Sequence, residues 1–204
     1  MNKPNFIIIE GIDGIGKTTV VEGVISKLDN FITYKETKDS EIGKNIKNLK
    51  IHSPLLDILT FSLVREELLL STAIPNLEKG NSIILDRFIL STYVYQYFRY
   101  SKDQREKEIL DLIKITENKF IDTIEKITHS PIKYIYLHTD YKNILGRIEG
   151  RNEKVDRFEE NLPNIMNSYN EALKHVKGEI IKIDATESIL TVRDSVLNTI
   201  KELC

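Results

Sequence analysis

The chain has 204 residues, of which 41% are hydrophobic and 29% are charged, and its formal net charge is −2. This ordinary globular composition can fill one core, so we predict a single domain over residues 1–204. A near-neutral chain lacks the basic field that nucleic-acid binding requires, and we predict no nucleic-acid partner. The single cysteine, Cys204, excludes a disulfide framework and a thiolate metal site.

The first residues do not resemble a targeting sequence. The segment "MNKPNF" lacks the charged and apolar regions of a signal peptide, and no apolar run in the sequence reaches the length of a membrane span. We therefore expect a cytoplasmic protein with no membrane partner.

Short apolar runs alternate with amphipathic segments along the first half of the chain. Residues 5–10 ("NFIIIE") predict a strand that is buried on both faces, and a helix follows over 18–29. A second strand is predicted over 31–36. The long apolar segment 53–80 begins with a Ser-Pro helix-start signal and ends at a glycine, which predicts one central helix.

The second half of the chain continues this alternation. Strands are predicted over 82–86, 133–140 and 179–184, and helices over 101–127 and 187–203. Strands that alternate with helices indicate an α/β fold with a five-stranded parallel sheet and helices on both faces.

A phosphate loop lies between the first strand and the first helix. The stretch "GIDGIGKT" from Gly11 to Thr18 fits the pattern G-x-x-x-x-G-K-[ST] in the context that the motif requires. Glycines let backbone N–H groups surround phosphate oxygens, Lys17 can reach the β- and γ-phosphates, and the Thr18 hydroxyl is suited to Mg²⁺. The alternative is a glycine-rich turn without a ligand. The predicted triphosphate-binding residues are Gly11, Ile12, Asp13, Gly14, Ile15, Gly16, Lys17, Thr18 and Thr19.

An acid and an arginine follow the third strand. In a parallel sheet, Asp86 and Arg87 would lie at the carboxyl edge beside the phosphate loop. Asp86 could hold Mg²⁺ directly or through water, and Arg87 could bridge the transferring and accepting phosphates. A surface ion pair at the end of a strand is the alternative.

Five motifs occur in the order and spacing of thymidylate kinases, and they span nearly the whole chain. They are "EGIDGIGKTT", "TFSLVREE", "DRFILSTYVYQ", "VDRFEE" and "IDAT", of which the third and fourth are the most specific. The resemblance implies a P-loop kinase fold and transfer of the γ-phosphoryl group from ATP to dTMP, with Mg²⁺ as cofactor. It also implies a homodimer, and it puts the "IDAT" loop near the adenine of ATP.

The resemblance also implies roles for individual side chains. Phe61 would stack on thymine, Arg65 would hydrogen-bond the base, and Asp13 would contact the sugar 3′-hydroxyl. Arg87 would hold the acceptor phosphate, and Tyr95 would crowd the sugar 2′-position. Phe61 and Arg65 are four residues apart and so share a helix face, although a core position for Phe61 is the alternative. The predicted substrate-binding residues are Asp13, Glu36, Lys38, Phe61, Arg65, Arg87, Ser91, Thr92, Tyr95 and Gln96.

The loop after the second strand departs from the family pattern. Glu36 is kept, but Lys35 stands where many members have arginine. Lys38 falls where some members place a second arginine on the acceptor phosphate, and a lysine there would act as a point charge. A solvated surface lysine is the alternative for Lys38.

Residues 146–158 are polar, contain glycine and carry both charges, which predicts a mobile basic lid. Family members place a catalytic arginine in the phosphate loop or in the lid, and this loop contains none. The resemblance therefore assigns it to the lid, where Arg151 is the first choice, followed by Arg147 and Arg157. The alternative is a solvated charged loop. The predicted catalytic residues are Lys17, Asp86, Arg87, Arg147, Arg151 and Arg157, and the predicted metal ligands are Thr18 and Asp86.

Two other functions remain open from the sequence. A deoxynucleoside kinase would need a carboxylate base beside a sugar 5′-hydroxyl, and Glu36 could serve. A regulatory protein could keep the phosphate loop and lack turnover.

Overall fold

The computed structural model describes residues 3–46, 53–97, 106–150 and 161–204. All pairings in its sheet are parallel, in the order β2-β3-β1-β4-β5, which confirms the predicted fold class. The third and fifth predicted strands have the predicted bounds, and the others differ by one or two residues. The strands are β1 (Phe6–Glu10), β2 (Phe31–Lys35), β3 (Ser82–Asp86), β4 (Lys133–His138) and β5 (Glu179–Asp184).

The two central strands bring the phosphate loop and the acidic strand end together. Every residue of β1 and β3 is buried, so helices must cover both faces of the sheet. In the register of these strands Ile9 pairs with Asp86, so the polypeptide leaves both strands at the same carboxyl edge of the sheet. The site described below lies at this edge.

Helices flank the sheet, and α1 packs against α10 while α4 and α5 pack against α7. Among the described helices, none combines the length and the hydropathy that a membrane crossing requires. The helices are α1 (Lys17–Ile25), α2 (Glu36–Asp39), α3 (Glu41–Ile46), α4 (Pro54–Leu68), α5 (Ile74–Glu78), α6 (Ile89–Thr92), α7 (Glu106–Thr128), α8 (Tyr141–Glu149), α9 (Leu162–Ala172) and α10 (Ile189–Glu202).

The helix predicted over 53–80 is present and contains one wider turn. Ser53 caps its start by accepting a hydrogen bond from the Leu56 N–H at 3.1 Å. A π-helical turn over Leu69–Ala73 then separates α4 from α5. Pro75 accounts for this turn, because proline cannot donate a helical hydrogen bond and its ring clashes with the preceding turn.

Part of the predicted lid is helical. Gly146 to Glu149 form the end of α8, so the regular helix continues four residues into the segment that the sequence predicts to be a lid. Gly150 caps the end of this helix, and residues 151–158 of the predicted lid lie outside the described residues. Neither α8 nor α9 is predicted by the sequence analysis, because their apolar stripes are short and flank this polar segment.

Candidate active site

The phosphate loop has the backbone conformation that its glycines permit. Gly11 and Gly16 have positive φ angles of 154° and 99°. A Cβ atom on Gly11 would lie 2.7 Å from the carbonyl oxygen of Leu137, so a side chain there would collide with backbone. Helix α1 begins at Lys17, directly after Gly16, and its first N–H groups therefore lie at the loop. This arrangement can bind phosphate.

Lys17 is a buried cation that contacts the backbone of its own loop. Its Nζ donates to the carbonyl oxygens of Gly11 at 2.7 Å and Ile12 at 2.9 Å. Burial lowers the pKa of Lys17 to about 7, and the nearby charge of Arg87 adds to this effect. The Asp13 carboxylate lies 4.0 Å from the same Nζ. The hydrogen bonds of the lysine therefore go to neutral carbonyls, which phosphate oxygens can replace.

Thr18, Asp86 and Lys35 form a polar cluster at the start of α1. The Thr18 hydroxyl donates to Asp86 Oδ2 at 3.3 Å. Lys35 Nζ lies 3.1 Å from Thr18 Oγ1 and 3.3 Å from Asp86 Oδ2. The second carboxylate oxygen of Asp86 is buried and has no hydrogen-bond partner among the described residues.

The oxygen atoms of this cluster suit Mg²⁺. A hydroxyl and a carboxylate are hard ligands, and Mg²⁺ at phosphate sites typically uses one or two carboxylates together with substrate phosphates. The described residues contain no group of three or more His, Cys, Asp or Glu side chains that could form a complete protein cage. Thr18 and Asp86 therefore fit a metal that nucleotide phosphates help to hold.

Arg87 is held in a strained conformation by several partners. Its φ angle is 75°, in the left-handed region that residues other than glycine rarely adopt, and its N–H donates to the Ile9 carbonyl at 3.1 Å. Its guanidinium contacts the Asp13 carboxylate. It also donates to the hydroxyls of Ser91 at 3.0 Å and Tyr169 at 3.2 Å. The guanidinium is thus fixed beside the phosphate loop.

A buried carboxylate supports the segment that follows Arg87. Glu10, at the end of β1, accepts hydrogen bonds from the Phe88 N–H at 2.8 Å and the Ser91 N–H at 3.2 Å. The Ser91 hydroxyl donates to the same carboxylate at 2.9 Å. Burial raises the pKa of Glu10, and the nearby Arg87 partly offsets this rise. Glu10 therefore anchors α6 and positions Arg87 through the backbone.

A pocket of about 240 Å³ opens next to Arg87. Arg65 lies inside it, 3% exposed, and pairs with the Glu36 carboxylate. Arg65 Nη2 also donates to the Thr92 hydroxyl at 2.7 Å and the Phe88 carbonyl at 3.2 Å. The residues that line this pocket are Asp13, Lys35, Glu36, Thr37, Phe61, Arg65, Asp86, Arg87, Ser91, Tyr95 and Gln96.

Tyr95 and Asp13 form the wall between the pocket and the phosphate loop. The Tyr95 hydroxyl donates to Asp13 Oδ2 at 3.0 Å, and the Arg87 guanidinium lies 5.4 Å from the centre of the Tyr95 ring. Burial raises the pKa of Tyr95, so its hydroxyl stays protonated and remains a donor. Burial alone would raise the pKa of Asp13, but Arg87 and Lys17 lower it below its usual value. Asp13 is therefore a carboxylate at neutral pH.

The remaining predicted residues are located as follows. Lys38 is exposed on α2 and does not line the pocket, whereas Lys35 does. Arg147 lies on the phosphate-loop side, where it donates to the carbonyls of Ile15 at 3.2 Å and Ala185 at 2.6 Å. Ile12 and Ile15 are buried within the loop, Gly14 is partly exposed, and Thr18 and Thr19 are exposed. Arg151 and Arg157 lie outside the described residues.

Sequence reasoning missed two buried side chains of the site, Glu10 and Tyr169. The signal for Glu10 is present in the sequence, because a charged residue ends a strand that is otherwise buried on both faces. Tyr169 carries no such signal, because tyrosines in an amphipathic helix are common in protein cores.

Together, the parallel sheet, the phosphate loop and the facing pocket define the class of P-loop nucleotide kinases. The loop side can hold a triphosphate, and the pocket combines cations with an aromatic wall that suits a nucleotide acceptor. The model of the family described as thymidylate kinase matches residues 9–196, and the chain belongs to this family.

Individual relatives agree with this assignment. A probable thymidylate kinase of Methanococcus maripaludis (strain C7) is 32% identical over 212 residues, which cover 98% of this chain and 96% of the relative. A thymidylate kinase of Thermoanaerobacter sp. (strain X514) is 24% identical over 213 residues, with 98% of both chains covered.

Solved structures of the family share the fold. The crystal structure of thymidylate kinase from Ehrlichia chaffeensis superimposes with a TM-score of 0.66 at 22% identity, covering 98% of this chain and 99% of the other. The structure of thymidylate kinase from Candida albicans gives a TM-score of 0.69 at 22% identity, covering 98% of this chain and 92% of the other.

Proposed function

We propose that this protein transfers the γ-phosphoryl group of ATP to dTMP and so produces dTDP and ADP. Membership of the thymidylate kinase family supports this reaction and the class of nucleoside monophosphate kinase. The observation that carries the proposal is that one pocket contains both Arg87, beside the phosphate loop, and the pair of Phe61 and Arg65. A planar donor and an aromatic ring suit a flat base with carbonyl oxygens, while Arg87 suits its phosphate.

The reaction then depends on positioning and charge. Lys17 and the N–H groups of the loop hold the donor phosphates, and Arg87 holds the phosphate of dTMP in line with them. An oxygen of that phosphate attacks the γ-phosphorus as the bond to the leaving ADP oxygen breaks. The accepting phosphate is already an anion, so no general base is needed.

Glu36 is better suited to structure than to base catalysis. Its carboxylate pairs with Arg65 and is buried, with 4% of the residue exposed. A base for a sugar hydroxyl would have to abandon this buried pair, so the geometry does not favour a deoxynucleoside kinase.

Magnesium, the lid and the oligomer complete the proposal. Thr18 and Asp86 would hold Mg²⁺, which would neutralise charge on the phosphates. Arg151, or else Arg147 or Arg157, would supply the lid cation.

Leu55, Leu59 and Leu63 support a homodimer, because they recur every four residues along α4 and are 41%, 43% and 58% exposed. The cytoplasmic location stays a prediction.

The test is ADP production from Mg-ATP with dTMP, dUMP, dCMP, AMP, UMP and thymidine as acceptors. We expect a strong preference for dTMP, because the pocket is built for a base and a phosphate. Turnover of thymidine but not of dTMP would contradict the proposal and make Glu36 a candidate base. ATP binding without turnover of any acceptor would instead indicate a regulatory protein.

A further inference from the structure

Tyr169 connects the two halves of the candidate site, although it lies on α9, far from both in the sequence. Its hydroxyl donates to the carbonyl oxygen of Gly11, the first residue of the phosphate loop, at 2.8 Å. The same hydroxyl accepts a hydrogen bond from Arg87 Nη1 at 3.2 Å. Gly11 also accepts from Lys17 Nζ at 2.7 Å. One chain of hydrogen bonds therefore runs from the loop lysine to the pocket arginine.

The tyrosine ring is fixed by its surroundings. Tyr169 is fully buried at 0% exposure. Its ring stacks on Tyr136 with centroids 5.5 Å apart and meets the Tyr95 ring edge-on at 6.2 Å. A buried hydroxyl on a rigid ring has one position, so it holds its two partners at one spacing. Burial raises the pKa of Tyr169, which keeps the hydroxyl neutral and able to donate and accept at once.

We propose that Tyr169 is a positioning residue for phosphoryl transfer, in which its hydroxyl ties Arg87 to the first carbonyl of the phosphate loop. The inference rests on the proposed function, because it assumes that Arg87 faces the acceptor phosphate. In this role Tyr169 acts through Arg87 and Gly11 rather than by a contact with a substrate. Its contribution is to keep the cation of the acceptor side and the loop of the donor side at a fixed separation. In-line transfer is sensitive to that separation.

Asp13 does not make this contact redundant. It binds a different nitrogen of Arg87 and is itself 44% exposed in its side chain. Arg87 Nη1 also donates to the Ser91 hydroxyl at 3.0 Å, so without the Tyr169 hydroxyl this nitrogen keeps one neutral partner instead of two, and the guanidinium plane is less tightly defined. Removing the Tyr169 hydroxyl should therefore loosen Arg87 without removing it from the site.

The test is a double-mutant cycle with Tyr169→Phe and Arg87→Ala, using kcat/KM for dTMP at saturating Mg-ATP. Tyr169→Phe keeps the ring and its packing, and it should lower kcat/KM by roughly tenfold, the scale of a hydrogen bond to a charged group. In the Arg87→Ala background the same change should have almost no effect, because the hydroxyl acts through Arg87. The Kd for ADP, measured by calorimetry, should change by less than about threefold, because Lys17 still contacts Gly11.

Tyr134→Phe is the matched control, because this tyrosine is also fully buried but its hydroxyl has no hydrogen-bond partner within the described ranges. It should leave kcat/KM unchanged. Three results would overturn the positioning role. Tyr169→Phe could cause equal tenfold losses in both backgrounds, or it could cause no loss in either. It could also lower ADP affinity and the thermal midpoint together. A wild-type chain that turns over no acceptor would instead overturn the proposed function together with this inference.

Discussion

The cations on the two sides of the site have different partners. On the acceptor side, Arg65 and Arg87 contact the carboxylates of Glu36 and Asp13. On the donor side, Lys17 and Arg147 donate hydrogen bonds to backbone carbonyls. Both sides thus contain positive charge, but the acceptor arginines are hydrogen-bonded to acids, whereas the carboxylate of Asp13 lies 4.0 Å from the Lys17 ammonium.

This difference indicates that one side of the site controls the orientation of the acceptor and the other controls the affinity for the donor phosphates. Hydrogen bonds between ions are stronger than those to neutral groups, so the acceptor arginines are held in place by their own protein. The hydrogen bonds of Lys17 go to neutral carbonyls and its side chain is buried, so its cation gains stabilisation from a phosphate that enters the loop. We infer that the acceptor side supplies geometry and the donor side supplies electrostatic attraction, which the following changes should separate.

The largest effect is expected for Arg87→Ala. It should lower kcat/KM for dTMP by roughly 10²–10³-fold, the scale for losing one preorganised donor at a reacting phosphate. The fold should remain intact, because alanine carries a Cβ as arginine does, so the substitution does not change the backbone strain at this positive φ angle. Steady-state kinetics and circular dichroism measure the two outcomes. Arg193→Ala on α10 serves as the control, and near-normal kinetics of Arg87→Ala would remove this residue from the site.

Breaking the acceptor pair should cost stability. Glu36→Gln leaves Arg65 buried without a full counter-charge, and we expect a loss of about 3 kcal/mol in the free energy of unfolding. Urea denaturation measures it. The control is Glu41→Gln, which breaks the exposed pair with Lys44 and should change the midpoint far less. Equal midpoints for the two variants would contradict the view that the acceptor side is held by its own ions.

The protonation of Lys17 on the donor side should make both stability and kcat/KM for ATP depend on pH. Burial lowers the pKa of Lys17 from its ordinary value of 10.5 to about 7 in the folded protein, so the unfolded chain binds more protons between these two values. Its contribution to stability therefore rises with pH across this window. Binding of ATP needs the charged lysine, so kcat/KM for ATP should fall above pH 7, by about tenfold per unit.

A kinetic profile from pH 6 to 9 checks this expectation. Lys17→Arg should remove the inflection near pH 7, because a guanidinium stays charged throughout. An unchanged inflection in that variant would assign the titration to another group.

The smallest effect concerns Lys35, which lies between the two sides. Its ammonium contacts Asp86 and Thr18, the proposed metal ligands. Lys35→Met should raise the affinity of the ADP complex for Mn²⁺ by up to about fivefold, the scale of a partly exposed ion pair. Paramagnetic resonance of free Mn²⁺ measures it. Lys38→Met removes a nearby exposed charge and should change little, and equal effects of the two variants would contradict direct competition.

The sequence predicted the sheet and the phosphate loop well, because both depend on local patterns. Strands β3 and β5 have the predicted bounds, and the glycine spacing located the loop. The long central helix is present as predicted, but the prediction did not include the π-helical turn over Leu69–Ala73, because it gave Pro75 no weight. Helix α8 was missed because charge density near Gly146 suggested a loop.

The pairings inside the site could not be predicted in the same way. Glu36 and Arg65 are 29 positions apart, and Arg87 and Tyr169 are 82 positions apart. No periodicity links such residues. Lys35 rather than Lys38 lines the pocket because Lys35 ends β2, directly beside Asp86 in the register of the sheet.

The sequence by itself determined the fold class, the family and the identity of the phosphate loop, because local hydrophobic periods and short motifs encode them. The tertiary structure decided which carboxylate neutralises which arginine, and that a tyrosine of α9 reaches across to both Gly11 and Arg87. The physical reason is that these contacts are long-range and buried. Their partners become neighbours only when the sheet order and the helix packing bring distant segments to one edge.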